Sequence, residues 1–84
     1  MITKDSIEAA YCFFHQKRRI YIHSNMDWQK DDIEYAIAQY VEGMNAELYA
    51  TLAKGNTEYL ISHSNFEHDL ADAERQLEQI MSSF

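Results

Sequence analysis

The feature that most constrains the fold is the apolar pattern within residues 26–44. Five apolar side chains recur there at offsets of 0, 4, 7, 8 and 11 residues: Ile33, Ile37, Tyr40, Val41 and Met44. An α-helix has 3.6 residues per turn, so this spacing places them on one helical face. Tyr35, Ala36 and Ala38 widen that face. The pattern predicts a central helix with neighbours on two sides, and Trp28 is expected to close one end of the core.

The composition favours helices throughout the chain. There is no proline, and there are only two glycines. Proteins with many tight β-turns use more of both residues. The chain has 84 residues, too few for two stable cores. We therefore predict a single helical domain over residues 1–84, an all-α fold built as a small irregular bundle of four helices, one of them short.

The first predicted helix has two possible starts and one ambiguous end. Asp5 to Glu8 resembles a capping box, whereas Thr3 is a competing N-cap. The β-branched residues within 20–22 suit either an extended segment or the last helical turn. We favour the helix, because no second strand is evident to pair with this segment.

Local signals also predict the later boundaries. Ser24 and Asn25 form a break, after which Asn25 or Asp27 caps the central helix. Asn45 is expected to cap a shorter third helix, and Gly55 with Asn56 occupies the position of a left-handed C-cap. Residues 57–61 are expected to form one or two helical turns. Ser64 to Glu67 matches a capping box at the start of the last helix.

The last predicted helix carries a narrow apolar seam with alternating steps of four and three residues. Its members are Phe66, Leu70, Ala73, Leu77, Ile80 and Phe84. This spacing is typical of coiled coils, but the seam covers less than three heptads. We expect it to pack on the other helices or to pair with a second copy of the chain.

The net charge of −7 is unevenly distributed. Residues 1–30 hold five bases and three acids, whereas residues 31–84 hold two bases and eleven acids. The acidic part would repel a phosphate backbone, so specific nucleic-acid binding is disfavoured. No apolar run approaches the roughly 20 residues that span a bilayer, and acids occupy the N-terminal stretch where a signal peptide is apolar. One cysteine fits a reducing compartment, and we expect a cytoplasmic protein.

Two histidine–carboxylate pairs have helical spacing. His63 precedes Glu67 by four residues, and His68 precedes Asp72 by four residues, so each pair could meet on a helix. A zinc site needs three or four converging ligands, and neither an HExxH motif nor paired cysteines occur. We interpret these as surface histidines beside carboxylates and predict no metal and no cofactor.

Cys12 and His15 are three residues apart on the first predicted helix. A catalytic cysteine needs a lowered pKa and a cleft, and no motif surrounds this pair. We interpret Cys12 as a small, partly buried core thiol. With no phosphate-binding glycine loop either, the sequence predicts a protein that is not an enzyme.

Charge and aromatic residues suggest a surface for a protein partner. Six tyrosines occur before the last helix, and tyrosine is common at interfaces. The predicted partner surface comprises Lys17, Arg18, Arg19, Tyr21, Glu67, Glu74, Leu77 and Glu78. Glu67, Glu74 and Glu78 are expected to share an outer helical face. In a homodimer, the basic cluster of one copy would lie near the acidic last helix of the other.

The stretch from Ser24 to Tyr35, SNMDWQKDDIEY, resembles short uncharacterised proteins carried by gut anaerobes on mobile elements. The resemblance covers about half of the chain. It implies no activity and no site residues, because the family brings none.

Together these features predict a small acidic interaction or regulatory module that acts by protein–protein binding. The alternative function is an acidic inhibitor that imitates nucleic-acid phosphates and so blocks a nucleic-acid-binding protein. In that alternative, the mimicry is carried by acids of the last helix: Glu67, Asp69, Asp72, Glu74 and Glu78.

Overall fold

A computed structural model describes residues 2–83. It contains four α-helices, α1 Lys4–His23, α2 Asp27–Gly43, α3 Ala46–Ala53 and α4 Phe66–Ser82. No strand occurs among these described residues. The predicted all-α bundle of four helices, with a short third helix, is confirmed. Within residues 2–83, no helix combines the length and the hydropathy that crossing a membrane requires.

The helices enclose one apolar core. α1 packs chiefly against α4 and also against α2. The predicted inner face of α2 is confirmed at Ile33 and Ile37, which are buried. Ile7, Ala10 and Phe14 are buried on α1. The other members of the predicted α2 face are partly buried against the core: Tyr40, Val41 and Met44. The core also contains apolar residues of the later segments: Leu48, Leu52, Ala53, Tyr59, Leu60, Phe66, Leu70, Ala73 and Leu77.

The first helix has the alternative N-cap, Thr3, rather than Asp5. The Thr3 hydroxyl accepts a hydrogen bond from the Ser6 backbone N–H at 3.1 Å. The helix continues through residues 20–22, as we favoured.

The predicted caps of α2 are wrong: Met26 occupies the N-cap position, without a side-chain hydrogen bond. The turn is held instead by buried Ser24, whose hydroxyl lies 2.9 Å from Gln29 Oε1 and 3.2 Å from Met26 O.

The caps of α3 and α4 differ in a way that can be measured. Asn45 Oδ1 accepts from two backbone N–H groups at the start of α3, as predicted. The predicted capping box at Ser64 is wrong, because Asn65 is the N-cap of α4 and the Ser64 hydroxyl contacts Ser62.

We expect Asn45→Ala to lower the free energy of unfolding by about 1 kcal/mol and Ser64→Ala to change it by less than about 0.5 kcal/mol. Urea unfolding of both variants tests this, and equal losses would contradict the assignment.

The helix α3 ends in the left-handed region, where the sequence predicted it. Lys54 has φ 53° and its N–H donates to Ala50 O, and Gly55 follows with φ 88°. Glycine suits this second position because it adopts positive φ without steric strain. The chain can therefore reverse direction within two residues.

Residues 57–61 form hydrogen-bonded turns rather than the predicted helical turns. Leu60 interrupts them with φ 66°, a conformation that is uncommon for a non-glycine residue. Its side chain is fully buried, and its N–H donates to Asp69 Oδ2 at 3.1 Å. A carboxylate of α4 thus holds this loop against the core.

We expect Asp69→Ala to destabilise the fold by about 1–3 kcal/mol, because the buried Leu60 N–H would lose its acceptor. Glu67→Ala is the matched control, because it removes the same charge from the same first turn of α4. Unlike Asp69, Glu67 is exposed. Chemical denaturation of both variants measures the difference. Equal stability losses would show that the Asp69 hydrogen bond does not hold the loop.

Candidate protein-binding surface

Glu74 of α4 contacts two residues of α1, His15 and Arg18, within one chain. Glu74 Oε1 lies 2.6 Å from His15 Nδ1, and Arg18 Nη1 donates to Glu74 Oε2 at 3.3 Å. Glu74 is only 9% exposed. The prediction that Glu74 lies on an outer face is therefore wrong. For Arg18 and Glu74, the attraction that we assigned to two copies of the chain is satisfied between the chain's own helices.

The apolar seam of α4 also faces inward. Phe66, Leu70, Ala73 and Leu77 are all buried in the core. The alternative in which the seam packs on the other helices is confirmed for these residues, while Phe84 lies outside the described residues. Leu77 is fully buried and cannot contribute to a partner surface without unfolding.

The other predicted partner residues lie on α1 and α4. Lys17 Nζ lies 5.4 Å from the centre of the Phe13 ring, and Tyr21 packs against Phe66. Arg19 is exposed on α1. Glu67 and Glu78 are exposed on α4. Glu67 and Glu78 are 11 residues apart, so at about 100° per residue they lie on nearly the same side of α4.

The predicted pairing of His63 with Glu67 is replaced by a contact with Glu34. His63 Nδ1 lies 2.8 and 3.1 Å from the two Glu34 carboxylate oxygens. His63 precedes α4, so it lacks the helical geometry that would bring it to Glu67. Among residues 2–83, no group of three or more His, Cys, Asp or Glu side chains has an arrangement that could hold a metal ion.

Asp72 belongs to a second hydrogen-bond network. Its carboxylate accepts from the Tyr59 hydroxyl at 2.8 Å, from Gln76 Nε2 at 2.6 Å and from Arg75 Nη2 at 2.8 Å. Burial by itself raises the pKa of Asp72, but these three donors lower it overall. The network therefore stabilises the fold above the ordinary pKa of aspartate and loses that contribution as the pH falls through the lowered pKa.

Trp28 and Tyr35 lie on the surface of the protein, although we predicted from the sequence that both belong to the core. Trp28 is 62% exposed and Tyr35 is 66% exposed, so both expectations are wrong. At about 100° per residue, Tyr35 lies about 160° around α2 from Ile33 and Ile37, and Trp28 lies about 140–180° from them. This arithmetic was available from the sequence and places both aromatic rings opposite the core.

These rings belong to what we call the α2 outer face. Its members are all exposed: Trp28, Asp31, Asp32, Tyr35, Gln39 and Glu42. Trp28 Nε1 lies 3.1 Å from the sulfur of Met26, which is itself 53% exposed. Gln39 Nε2 donates to the Tyr35 hydroxyl at 2.7 Å. Each aromatic side chain thus has one polar contact with a neighbour on the same chain.

A pocket of about 440 Å³ flanks the first turns of this face. It is lined by Tyr21, Asp27, Lys30, Asp31, Glu34 and His63. Lys30 Nζ lies 5.4 Å from the centre of the Tyr21 ring. Burial, followed by the charges of Glu34, Glu67 and Asp31, raises the pKa of Tyr21. The pocket is therefore an acidic environment around an aromatic ring.

Comparison with known proteins gives no relative. No protein-family model, curated protein sequence or solved structure matches this chain. The resemblance of residues 24–35 to short proteins of gut anaerobes accordingly stays a prediction.

Proposed function

We propose that this chain is a small acidic interaction or regulatory module of the cytoplasm, and that it binds another protein through the α2 outer face. The observation that carries this proposal is the exposure of Trp28 and Tyr35 on one side of α2. Aromatic residues contribute much of the affinity at protein interfaces, because each buries a large area with few rotatable bonds.

The arrangement suits a helix that is received by a groove. The two rings are seven residues apart, so they lie on the same side of α2 about two turns from each other. Residues at such spacing are the usual anchors when an amphipathic helix enters a groove on its partner. The opposite side of α2 is fixed to the core by Ile33 and Ile37, so the helix presents these anchors in one orientation.

Phosphate mimicry by α4 is less well supported. It needs carboxylates that are free to replace phosphates on the surface of a partner. Asp69 and Asp72 accept hydrogen bonds from the chain itself, and Glu74 is paired with α1. Glu67 and Glu78 are the members of the proposed acidic set that stay exposed.

A pull-down from extract of the native host cells tests the proposal. The bait is the full chain, compared with the double variant Trp28→Ala, Tyr35→Ala and with the control Ile22→Ala, which removes an exposed apolar side chain from α1. We expect the control to retain the partner and the double variant to lose it. After mass spectrometry identifies the partner, its affinity for the double variant should be at least about tenfold weaker.

Two results would overturn the proposal. One is a partner that binds the double variant as tightly as the native chain. The other is a partner that binds the Trp28→Ala, Tyr35→Ala variant but not the Glu67→Gln, Glu78→Gln variant. That result would favour phosphate mimicry. Thermal melts check that each variant is folded, which we expect because all five substituted residues are exposed.

A further inference from the structure

The side of α1 that faces away from the core is exposed along the whole helix. We call it the α1 outer face, and its members are Asp5, Glu8, Ala9, Cys12, Gln16, Arg19, Ile20 and His23. At about 100° per residue, all of them lie within about 60° of the direction opposite Phe14, which is fully buried. This side of the 20-residue helix can therefore receive a second helix along its length.

Charge is divided between the two ends of the α1 outer face. Asp5 and Glu8 are in its N-terminal half, whereas Arg19 and His23 are in its C-terminal half. Among residues 2–83, no hydrogen bond or ion pair involves the side chains of Asp5, Arg19 and His23. Glu8 lies 4.0 Å from Lys4, and both side chains are exposed. The charged groups of this face are therefore available to a partner.

The acids and bases of the α1 outer face are in matching positions around the helix. Asp5 and His23 are 18 residues apart, which is about five full turns, so they point in the same direction. Glu8 and Arg19 are 11 residues apart, so they lie on the same flank within about 20°. When two such helices pack antiparallel about a two-fold axis at mid-helix, Asp5 of one copy meets His23 of the second copy. Glu8 meets Arg19 in the same way, and each contact occurs twice.

The apolar residues of this face match as well. A pocket of about 560 Å³ lies in its C-terminal half and is lined by Gln16, Arg19, Ile20 and His23. Ile20 is 42% exposed and lies on the flank opposite Arg19, together with Ala9. In the antiparallel arrangement, Ile20 of one copy packs against Ala9 of the second copy. Because alanine is small, it lets the two helices approach closely.

We propose that the chain forms a two-fold homodimer in which the α1 helices of two copies pack antiparallel through the α1 outer face. A second copy is the occupant because the charge of this face is complementary to itself in the antiparallel direction. A parallel pair would instead place acid against acid and base against base. The inference goes beyond the proposed function, because it concerns a different helix and a different partner.

Sedimentation equilibrium of the full chain, from about 5 to about 500 µM at about 0.15 M salt, measures the dimer. We expect Glu8→Arg and Arg19→Glu each to weaken dimerisation by at least about tenfold, because each turns two attractions into two repulsions. The matched controls are Glu42→Arg and Lys54→Glu, which make the same changes of charge at exposed positions outside α1. Each control should change the dissociation constant by less than about threefold.

An equimolar mixture of the Glu8→Arg and Arg19→Glu variants tests the antiparallel pairing directly. In a mixed dimer, both contacts again join opposite charges, so association should recover to within about threefold of the native chain. Such recovery also shows that both variants are folded.

Three results would overturn the proposal. One is a native chain that stays monomeric over the whole concentration range. Another is a native dimer that the two α1 variants weaken no more than the controls do, which would place the interface on another surface. The third is a mixture of the two α1 variants that associates no better than either variant alone, although circular dichroism shows both to be helical.

Discussion

Leu77→Glu is expected to unfold the protein. Leu77 is fully buried on the inner side of α4. Removing a buried leucine costs about 2–5 kcal/mol, and burying an unpaired carboxylate costs several kcal/mol more. A chain of this length has a total stability of about 4–13 kcal/mol, at about 0.05–0.15 kcal/mol per residue. The substitution therefore removes most or all of the stability.

Circular dichroism and urea unfolding measure this effect. Leu77→Met is the matched control, because it conserves volume and should cost less than about 1.5 kcal/mol. A Leu77→Glu variant that keeps its helical signal and unfolds near the wild-type midpoint would contradict the burial of Leu77.

The same variant decides between two roles for the α4 seam. The sequence suggested that Leu77 joins two copies of the chain, and in that case Leu77→Glu would yield a folded monomer from a dimer. Homodimer formation stays a prediction, but it now requires a surface other than the buried seam. Sedimentation over a hundredfold range of micromolar concentrations, at about 0.15 M salt, shows whether a dimer forms.

Phe14→Ala is expected to lower the free energy of unfolding by about 3–5 kcal/mol. Phe14 is fully buried where α1 meets α2, and its ring approaches the Tyr40 ring edge-on at 5.4 Å between centres. Truncation removes this contact and leaves a cavity that rigid helices fill poorly. Phe13 also contacts Tyr40, with the two rings stacked and their centres 4.2 Å apart, but Phe13 is only half-buried.

Phe13→Ala is therefore the comparison variant for Phe14→Ala, and we expect it to cost about half as much or less because part of its ring is already hydrated. Urea unfolding at constant m-value gives both numbers. A loss below about 1 kcal/mol for Phe14→Ala would show that α1 does not pack on this face. Equal losses would show that both rings are buried to the same extent.

Helix formation was largely predictable because it depends on neighbours in the sequence. The period of apolar residues identified Ile33 and Ile37 as the inner side of α2, and Asn45 marked the start of α3. Helical arithmetic also contained the outward direction of Trp28 and Tyr35, although the aromatic character of these residues suggested burial instead. Large apolar side chains are common on protein surfaces, so composition alone does not decide exposure.

The pairing of charged groups was decided only by the tertiary structure. Glu74 lies 56 residues from Arg18 in the chain, yet the two meet because α4 packs along α1. Asp69 is turned inward by its contact with the Leu60 N–H, although its position in an acidic segment suggested a solvated face. The sequence by itself indicated the four helices, because local periodicity and composition favour them. It did not give the N-caps of α2 and α4, nor the turns of residues 57–61, where Leu60 has φ 66°. Only the packed fold decided which carboxylates are used internally and which stay exposed on α2, since that depends on contacts between distant segments.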